Sequence, residues 1–387
     1  TTSASATRSR PASVSTSSGT DTATQYSVSG GISWEIDLWG KVRRQVESST
    51  ATAQASAADL QALRLSIQTE VAQNYFQLRI IDVQKRILND TVAAYRKSLE
   101  LTQNRYKAGV AAKADVIQAQ TQLKSTEAQA IDTGVQRAQL EHAIAILMGQ
   151  APADFTLPAT AEVPNIPQIP VGIPSDLLER RPDIASAERK VAAANAQIGV
   201  AKAAYYPSLT LSASAGYQNP VIGDLFTVPS FFWSLGPALL AQTIFDGGAR
   251  AAQTDQAIAS YDATVASYRQ TVLTGFQQVE DNLAALRILS EEADVQNEAV
   301  NYAKESVTLT TNQYKAGTVS YLNVIVAQAI ALNNEKTAVG IRGQRLTAAV
   351  LLIKALGGGW NASELTGADR SGGKKVSGTE GRSPGEK

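Results

Sequence analysis

The fold is decided by residues 41–108, which read KVRRQVESSTATAQASAADLQALRLSIQTEVAQNYFQLRIIDVQKRILNDTVAAYRKSLELTQNRYKA. This stretch contains neither Gly nor Pro, and it is rich in Ala, Gln, Leu, Glu and Arg, which are good helix formers. Its apolar residues recur at steps of three and four, so they form one stripe along a helix. At ~1.5 Å per residue an unbroken helix of this length would span roughly 100 Å. A coiled-coil rod or the wall of a tube can use such a helix, but a globular domain cannot.

The chain also repeats itself. The segment NRYKAG at residues 104–109 returns 208 positions later as NQYKAG at residues 312–317, and the same separation relates Gly149 to Gly357. A repeat held in register over this length predicts the same structure twice. Each half is predicted to be a long helix, a tight Lys-Ala-Gly turn and a returning helix, with the turn Gly ending the first helix in the left-handed conformation. Gly275 is expected to interrupt the long helix of the second half, since Gly is a poor helix former.

Residues 26–38 carry the strongest strand pattern. Apolar side chains alternate there with Ser, Glu and Asp along most of the segment. Such a run is long for a strand of a soluble protein, and it suits a tilted strand that crosses a bilayer with lipid on one face and water on the other. An edge strand of a soluble sandwich is the alternative for this segment taken alone.

Further segments complete two predicted hairpins. Residues 209–217 and 233–239 alternate in the same way, and Pro237 is expected at a sheet edge or bulge because it cannot donate a ladder hydrogen bond. The opening residues 3–6 repeat the SASA of residues 212–215, so they are expected to form a strand as well.

Four strands per chain imply an oligomer. Four strands cannot close a barrel, and an open sheet edge is not tolerated in lipid. Spanning barrels have about eight strands or more, so at least two chains must contribute, and three chains would supply twelve. The strand pattern predicts a shared barrel and leaves the number of chains open.

The pattern divides the chain into consecutive segments. They are a first β-hairpin at 1–39, a first long helical hairpin at 40–150, a Pro-rich crossover at 151–182, a helix at 183–204, a second β-hairpin at 205–246, a second long helical hairpin at 247–356, and a C-terminal end with a disordered tail at 357–387. The tail is predicted to be disordered because it has almost no apolar residue to bury. The predicted fold class is an α+β membrane protein with an internal twofold repeat.

Composition excludes several classes of function. Equal numbers of basic and acidic residues, 35 each, do not point to a nucleic-acid partner. The chain has no Cys and therefore no thiolate metal site, and its one His, His142, is assigned a structural or surface role on a helix. With no Gly-rich phosphate loop and no metal-ligand cluster, we expect neither an enzyme nor a cofactor. Without a run of 18 apolar residues there is no transmembrane helix, so any contact with a membrane must be made by strands.

The order of strands, long helix, Tyr-Lys-Ala-Gly turn and crossover, followed by its repetition, resembles the outer-membrane channels of tripartite efflux pumps, the TolC type of the outer membrane factor family. The segment SDLLERRPDIASAERKVAAANAQIGVAKAAYYPSLTLSASAGY at residues 175–217 is similar to the OprM-like drug-efflux branch, and so are IDLWGKVRRQVE at 36–47 and LIKALGGGW at 352–360. The resemblance covers about residues 20–360. It implies a homotrimer with a twelve-stranded barrel in outer-membrane lipid and a periplasmic tunnel of helices.

The resemblance also implies partners and an activity. The family docks to an inner-membrane transporter, of the RND type in this branch, through a periplasmic adaptor protein, and it conducts small molecules outward without catalysis. The repeat places a further helix before residue 1, so the chain is expected to lack an N-terminal part. Members of the branch begin with a lipidated Cys, and lipidation stays open here because the sequence contains no Cys.

Site residues follow from the same resemblance. The periplasmic gate is assigned to Asp115, Tyr321, Asn323 and Val326, and Asn323 and Val326 share a helix face because they lie one turn apart. The positions matching Asn323 and Val326 carry carboxylates in TolC itself, so a ring of Asn and Val here would gate by size and dewetting more than by charge. For Asp115 the alternative is a solvated acid in the first turn of a helix, where it suits the macrodipole.

Adaptor contacts are assigned to the two turns, at Tyr106, Gly109, Tyr314 and Gly317. The alternative is that the Tyr residues pack the helices and the Gly residues only end them.

Other interpretations remain open. The segment RRPD at residues 180–183 could bind a phosphate, but a helix start with local ion pairing explains it better. Within the family, a type I secretion channel or a metal-efflux channel is the alternative function. Outside it, a structural coiled-coil scaffold would explain the helices but not the alternating strands.

Overall fold

The computed structural model describes residues 1–9, 22–160, 162, 165–166, 177–236 and 239–363. The strands are β1 (Thr2–Ser9), β2 (Ala23–Ile36), β3 (Ser208–Asn219), β4 (Phe231–Leu235) and β5 (Leu239–Ala241), and the helices are α1 (Lys41–Lys107), α2 (Lys113–Leu147), α3 (Leu177–Arg180), α4 (Pro182–Ala203), α5 (Ala249–Ala316) and α6 (Tyr321–Ala355). Long helical hairpins and a small sheet confirm the predicted fold class. Pro237, most of the Pro-rich crossover and the tail from residue 364 lie outside the described residues.

The chain divides into two compact units, which are described separately. One unit comprises residues 1–55 and 188–267, and the other comprises residues 56–187 and 268–387. The first unit contains the sheet, and the second contains the helical turns.

The sheet of the first unit is antiparallel, in the order β1-β2-β3-β4, with β5 also paired to β3. Register aligns the apolar side chains of neighbouring strands: Trp34 lies opposite Leu211, and Ala213 lies opposite both Ile32 and Leu235. Residues directly opposite each other point to the same face of a sheet. One face is therefore apolar across β2, β3 and β4, whereas Ser side chains dominate the other.

Two aspartates start the long helices. Asp37 accepts hydrogen bonds from the backbone N–H groups of Val42 and Arg43, at 2.9 and 3.0 Å, at the start of α1. Asp246 plays the same part for α5, accepting from the N–H groups of Gly248 and Arg250. A carboxylate satisfies free N–H groups and suits the positive end of the helix dipole. The hydrogen bond from the Arg250 guanidinium also lowers the pKa of Asp246, which keeps this cap charged.

The second unit has thin cores of small and medium side chains. Val92 and Tyr95 of α1 pack on Leu123 of α2, and Val279 of α5 packs on Leu352 and Ala355 of α6. Trp360 packs on Ala58 and Ala185, after three consecutive Gly residues with positive φ. These contacts hold each helical hairpin together through closely spaced helices rather than through one large core.

Gly275 does not interrupt α5, so that prediction was wrong. The helix is continuous from Ala249 to Ala316, and Gly275 is buried within it. A Cβ at this position would lie 3.5 Å from atoms of Arg181 and Ile184, so the missing side chain lets α5 approach this neighbouring segment closely. Tertiary packing outweighs the helix-propensity cost of a single Gly, about 1 kcal/mol.

Local ion pairing explains the RRPD segment. Arg181 is buried and pairs with Asp183 through two hydrogen bonds of 3.0 and 2.6 Å. Its Nη1 atom also donates to Gln278 Oε1 and to the carbonyl oxygen of Ala355. Arg181 therefore ties the start of α4 to α5 and to the end of α6, and its donors are directed at protein groups.

A largely buried network of charged side chains binds the segment that follows α2, at residues 157–158. Arg79 and Asp82 of α1 pair at 3.2 Å, and Arg137 of α2 pairs with Asp82 at 2.8 Å and with Glu141 at 2.9 Å. The same guanidinium groups donate to the carbonyl oxygens at positions 157 and 158, at 2.6 and 2.8 Å. We call these four side chains the connector clamp. Two positive and two negative charges compensate each other, as buried ions require.

Among the described residues, no helix combines the length and low polarity that crossing a bilayer requires.

Candidate docking and gating site

The two helical turns have the same backbone conformation. Gly109 has φ +76° and Gly317 has φ +79°, a region that favours Gly. In the first turn the N–H of Val110 reaches the carbonyl oxygen of Arg105 at 2.9 Å, and in the second the N–H of Thr318 reaches that of Gln313 at 3.0 Å. This is the Schellman arrangement, and it explains why both copies of the repeat keep Gly at the same place.

The two turns differ in their tyrosines. Tyr106 is 45% exposed, whereas its repeat counterpart Tyr314 is 4% exposed. Tyr106, Gly109 and Gly317 are therefore presented on the surface of the chain, and Tyr314 is not. Of the four residues assigned to adaptor contacts, these three are accessible to a partner and Tyr314 packs inside, while the assignment itself stays a prediction.

Arg105 joins the two turns, and it was missed from the sequence. Its Nη1 atom donates to the carbonyl oxygen of Lys315 at 2.9 Å, and its guanidinium carbon lies 4.7 Å from the ring centroid of Tyr314. A signal was present, because Arg105 is the one position of NRYKAG that changes in the second copy, to Gln313. A change inside a conserved spacing marks a residue whose role is not shared by the two halves.

Two tyrosines form the core below the turns. The rings of Tyr314 and Tyr321 lie 5.3 Å apart, and they pack with Ala119 and Val324. The hydroxyl of Tyr321 lies 3.2 Å from Ser98 Oγ. The cluster draws on α2, α5 and α6 and is bonded to α1, so it connects both helical hairpins. Burial raises the pKa of Tyr321, partly offset by the bond to Ser98, and the charge of Asp115 adds to the increase.

The four predicted gate residues differ in how far they are exposed. Asn323 and Val326 are exposed on one side of α6, where the apolar Leu322 and Ile330 are exposed too. Asp115 is half-buried in the first turn of α2. Tyr321 is inside the core described above, where a phenol holds helices together and does not line an open surface.

No metal centre is formed by the part of the chain that the structure describes, since no group of three His, Asp or Glu side chains converges there. His142 is exposed on α2.

Comparison with known proteins gives consistent results. The family model described as outer membrane efflux protein matches residues 1–150 and 173–358. The antibiotic efflux pump outer membrane protein ArpC of Pseudomonas putida is 33% identical over 352 residues, which cover 90% of this chain and 72% of ArpC. The toluene efflux pump outer membrane protein TtgC of the same species gives the same identity and coverage. The solved structure of the outer-membrane channel OprN superposes with a TM-score of 0.86 at 30% identity, covering 93% of this chain and 81% of OprN.

Proposed function

The chain belongs to the outer membrane efflux protein family and is located in the outer membrane, extending into the periplasm, and we propose that it forms the passive exit channel of a tripartite drug-efflux pump. Three copies share one barrel, to which each contributes its strands, and the helical hairpins of the three copies surround a common tunnel. The relatives are efflux channels and not enzymes, and this chain conducts its substrates without catalysing a reaction.

One observation carries the proposal: the exposed apolar face of the sheet. Trp233 is 68% exposed and Leu235 is 75% exposed, and both lie on the face shared with Ile32, Trp34 and Leu211. A contiguous apolar face of this size is costly in water and stable in lipid. The opposite face, lined by Ser side chains, suits a water-filled lumen.

The two exposed turns are the docking points for a periplasmic adaptor, which connects the channel to an inner-membrane transporter of the RND type. Tyr106, Gly109 and Gly317 contact the adaptor, and Asn323, Val326 and Asp115 lie at the gate. Drugs and apolar organic molecules are the substrates, because ArpC and TtgC are named for antibiotic and toluene efflux.

Planar-bilayer conductance tests the channel directly. Protein extracted from membranes and added to a bilayer should give discrete current steps. Substituting Asp115 by Asn should lower the preference for cations, since a carboxylate repeated by symmetry favours cations at a narrow entrance. A matched Asp132→Asn variant, further along α2, should leave the preference unchanged. A bilayer that stays silent with correctly assembled protein would contradict the proposal.

A further inference from the structure

One face of α5 presents exposed apolar side chains at intervals of seven residues. We call this set the α5 row, and its members are Ile288, Val295, Tyr302 and Leu309. A spacing of seven residues is the one by which a long helix packs along a second helix, as in a coiled coil. Apolar groups that are gathered on one face and exposed mark a surface for a partner.

Contacts within the two helical hairpins recur, like the sequence, after 208 positions. Arg96 of α1 pairs with Glu127 of α2 at 2.8 Å. Their counterparts, Lys304 of α5 and Glu335 of α6, pair at 2.7 Å. A contact made by one half of the chain therefore indicates an equivalent contact for the other half.

The counterparts of the α5 row lie on α1, where the second hairpin covers them. They are Ile80, Ile87, Ala94 and Leu101. Ile80 is 2% exposed, whereas Ile288 is 53% exposed. A Cβ atom at Gly343 of α6 would lie 3.0 Å from Cγ1 of Ile80, so α1 and α6 touch at this point. The next two members line a cleft together with side chains of α6, and the last packs on the core of Tyr314 and Tyr321.

The repeat identifies the surface that the α5 row fits. Gly343 corresponds to Val135 of α2, so Ile288 should meet Val135. Val135 is 57% exposed and Ile288 is 53% exposed, so the two do not cover each other within one chain. Ile131, one turn before Val135, is exposed as well and enlarges the apolar patch on α2. The contact must therefore be made between two copies.

Charges on α5 differ from those at the equivalent positions of α1. The cleft between α1 and the second hairpin, of about 510 Å³, is lined on the α1 side by Arg86 and Asp90. Their counterparts on α5, Asp294 and Glu298, are both acidic and exposed. Beside the α5 row, the surface of this helix is therefore negative where that of α1 is balanced.

The equivalent surface of the first hairpin has the opposite charge. Its residues Arg96, Lys124 and Glu127 are the counterparts of second-hairpin residues that line the same cleft. Arg96 and Lys124 both pair with Glu127, at 2.8 Å each, which leaves one positive charge in excess. A negative surface on α5 and a positive one on the first hairpin are complementary when two copies meet.

We propose that the α5 row packs against α2 of a second copy, in the way that α1 packs against α6 within each chain. The inference rests on the proposed function, because it names the surfaces through which the copies of the channel meet. The two surfaces belong to different helices, so the contact is heterologous and each copy offers both halves of it. Heterologous contacts that close form a ring, and a ring of helices encloses the common tunnel.

Cysteine cross-linking tests the pairing, because the chain has no native Cys. The test variant carries Ile288→Cys and Val135→Cys in the same chain and is oxidised in membranes before extraction. Facing side chains of packed helices approach the Cβ separation of a disulfide, about 3.5–4.5 Å. Denaturing gels without reductant should show species of two and three chains, which return to one chain on reduction.

Two controls define the geometry. Ile288→Cys alone and Val135→Cys alone should not link copies, because identical residues do not meet in a heterologous contact. The matched pair Tyr302→Cys and Val135→Cys should stay unlinked too. Tyr302 belongs to the same α5 row, but it lies fourteen residues further along the helix, about 21 Å away.

The outcomes separate the interface from the channel. A trimer by mass in which the Ile288 and Val135 pair does not link would overturn the interface and leave the proposed channel intact. Linking by Ile288→Cys alone would mean that α5 meets α5, and linking to a different protein would mean that another partner covers the α5 row, so either result would overturn the interface. A protein that is monomeric in mild detergent would refute the shared channel and the interface together.

Discussion

At the scale of single residues, the two copies of the repeat are alike in sequence and different in role. Tyr106 and Tyr314 occupy equivalent positions, yet one is exposed and the other is buried. This difference could not be predicted from the sequence, because the burial of each tyrosine depends on which helix packs over its turn. Arg105 is a second example of a role that differs between the copies, since its contacts to Lys315 and Tyr314 exist in one copy of the repeat only.

Arg105→Ala should loosen the two turns from each other. The variant loses the hydrogen bond that the Arg105 guanidinium donates to the carbonyl oxygen of Lys315 and its cation–π contact with Tyr314, together about 2 kcal/mol. Spin labels attached at Lys107 and Lys315, through Cys substitutions in a chain without native Cys, should then report a broader distance distribution. Gln313→Ala, at the equivalent position in the other repeat, is the control and should leave the distribution narrow. An unchanged distribution in Arg105→Ala would show that Arg105 does not hold the turns.

Tyr321 should make stability sensitive to alkaline pH. Burial raises the pKa of Tyr321 above its ordinary value of 10.0. The contribution of the neutral phenol to the free energy of unfolding is therefore complete below pH 10.0, and it is lost as the pH rises through the pKa of the folded state. Denaturation in detergent at increasing pH should show that Tyr321→Phe loses less stability than the wild type. At neutral pH the same variant should cost about 1 kcal/mol, from the lost bond to Ser98.

Tyr106→Phe is the matched control, because it removes a tyrosine hydroxyl from an exposed position outside the core. Equal alkaline sensitivity in Tyr321→Phe and the wild type would mean that this phenol does not titrate with unfolding.

At the scale of elements, the helical hairpins follow from the sequence because local signals and the repeat agree. The absence of Gly and Pro from residues 41–108 and the Gly at each turn define the helices without reference to any tertiary contact. The same local signals gave a wrong prediction for Gly275, because its environment is formed by Arg181 and Ile184 of a segment distant in sequence. The connector clamp could not be predicted from local signals either, because its guanidinium groups bind backbone carbonyl oxygens that no sequence periodicity identifies.

Removing Arg79 should release the chain that leaves α2. Arg79→Ala leaves Asp82 buried with part of its compensation lost, and breaking a buried pair costs about 3–5 kcal/mol. Thermal denaturation in detergent should show the loss, and limited proteolysis should cut sooner between α2 and α4. Arg287, the counterpart in the second repeat, pairs only at 4.0 Å with an exposed Glu291. Arg287→Ala should therefore behave as wild type, and equal losses in the two variants would refute the clamp.

The close packing around Gly275 can be tested by substitutions that add side-chain atoms at this position. Gly275→Ala places a methyl group at ordinary contact distance and should be neutral or should stabilise the protein by up to about 1 kcal/mol, from helix propensity. Gly275→Leu should destabilise it, because the longer side chain reaches into Arg181. Thermal denaturation of both variants tests whether Gly275 serves close packing. If Gly275 were instead a hinge, Gly275→Ala would be defective in transport without a change in stability.

At the scale of the whole molecule, the strand pattern predicts more than one chain and does not give the number. The apolar face runs in register across β2, β3 and β4, as the alternation in the sequence requires. In the proposed shared barrel the sheet of one chain is continued by the sheet of the next, and the geometry of that junction depends on surfaces that one sequence does not relate to each other. Family membership identifies the chain as an efflux channel protein. The apolar face of the sheet gives the physical reason why the strands are stable in lipid.

The most direct test of the shared channel is the mass of the protein extracted from membranes in mild detergent. The account predicts a trimer found only in the outer-membrane fraction. A monomer or dimer that remains stable without detergent would contradict it, because the apolar face of the sheet would then be facing water.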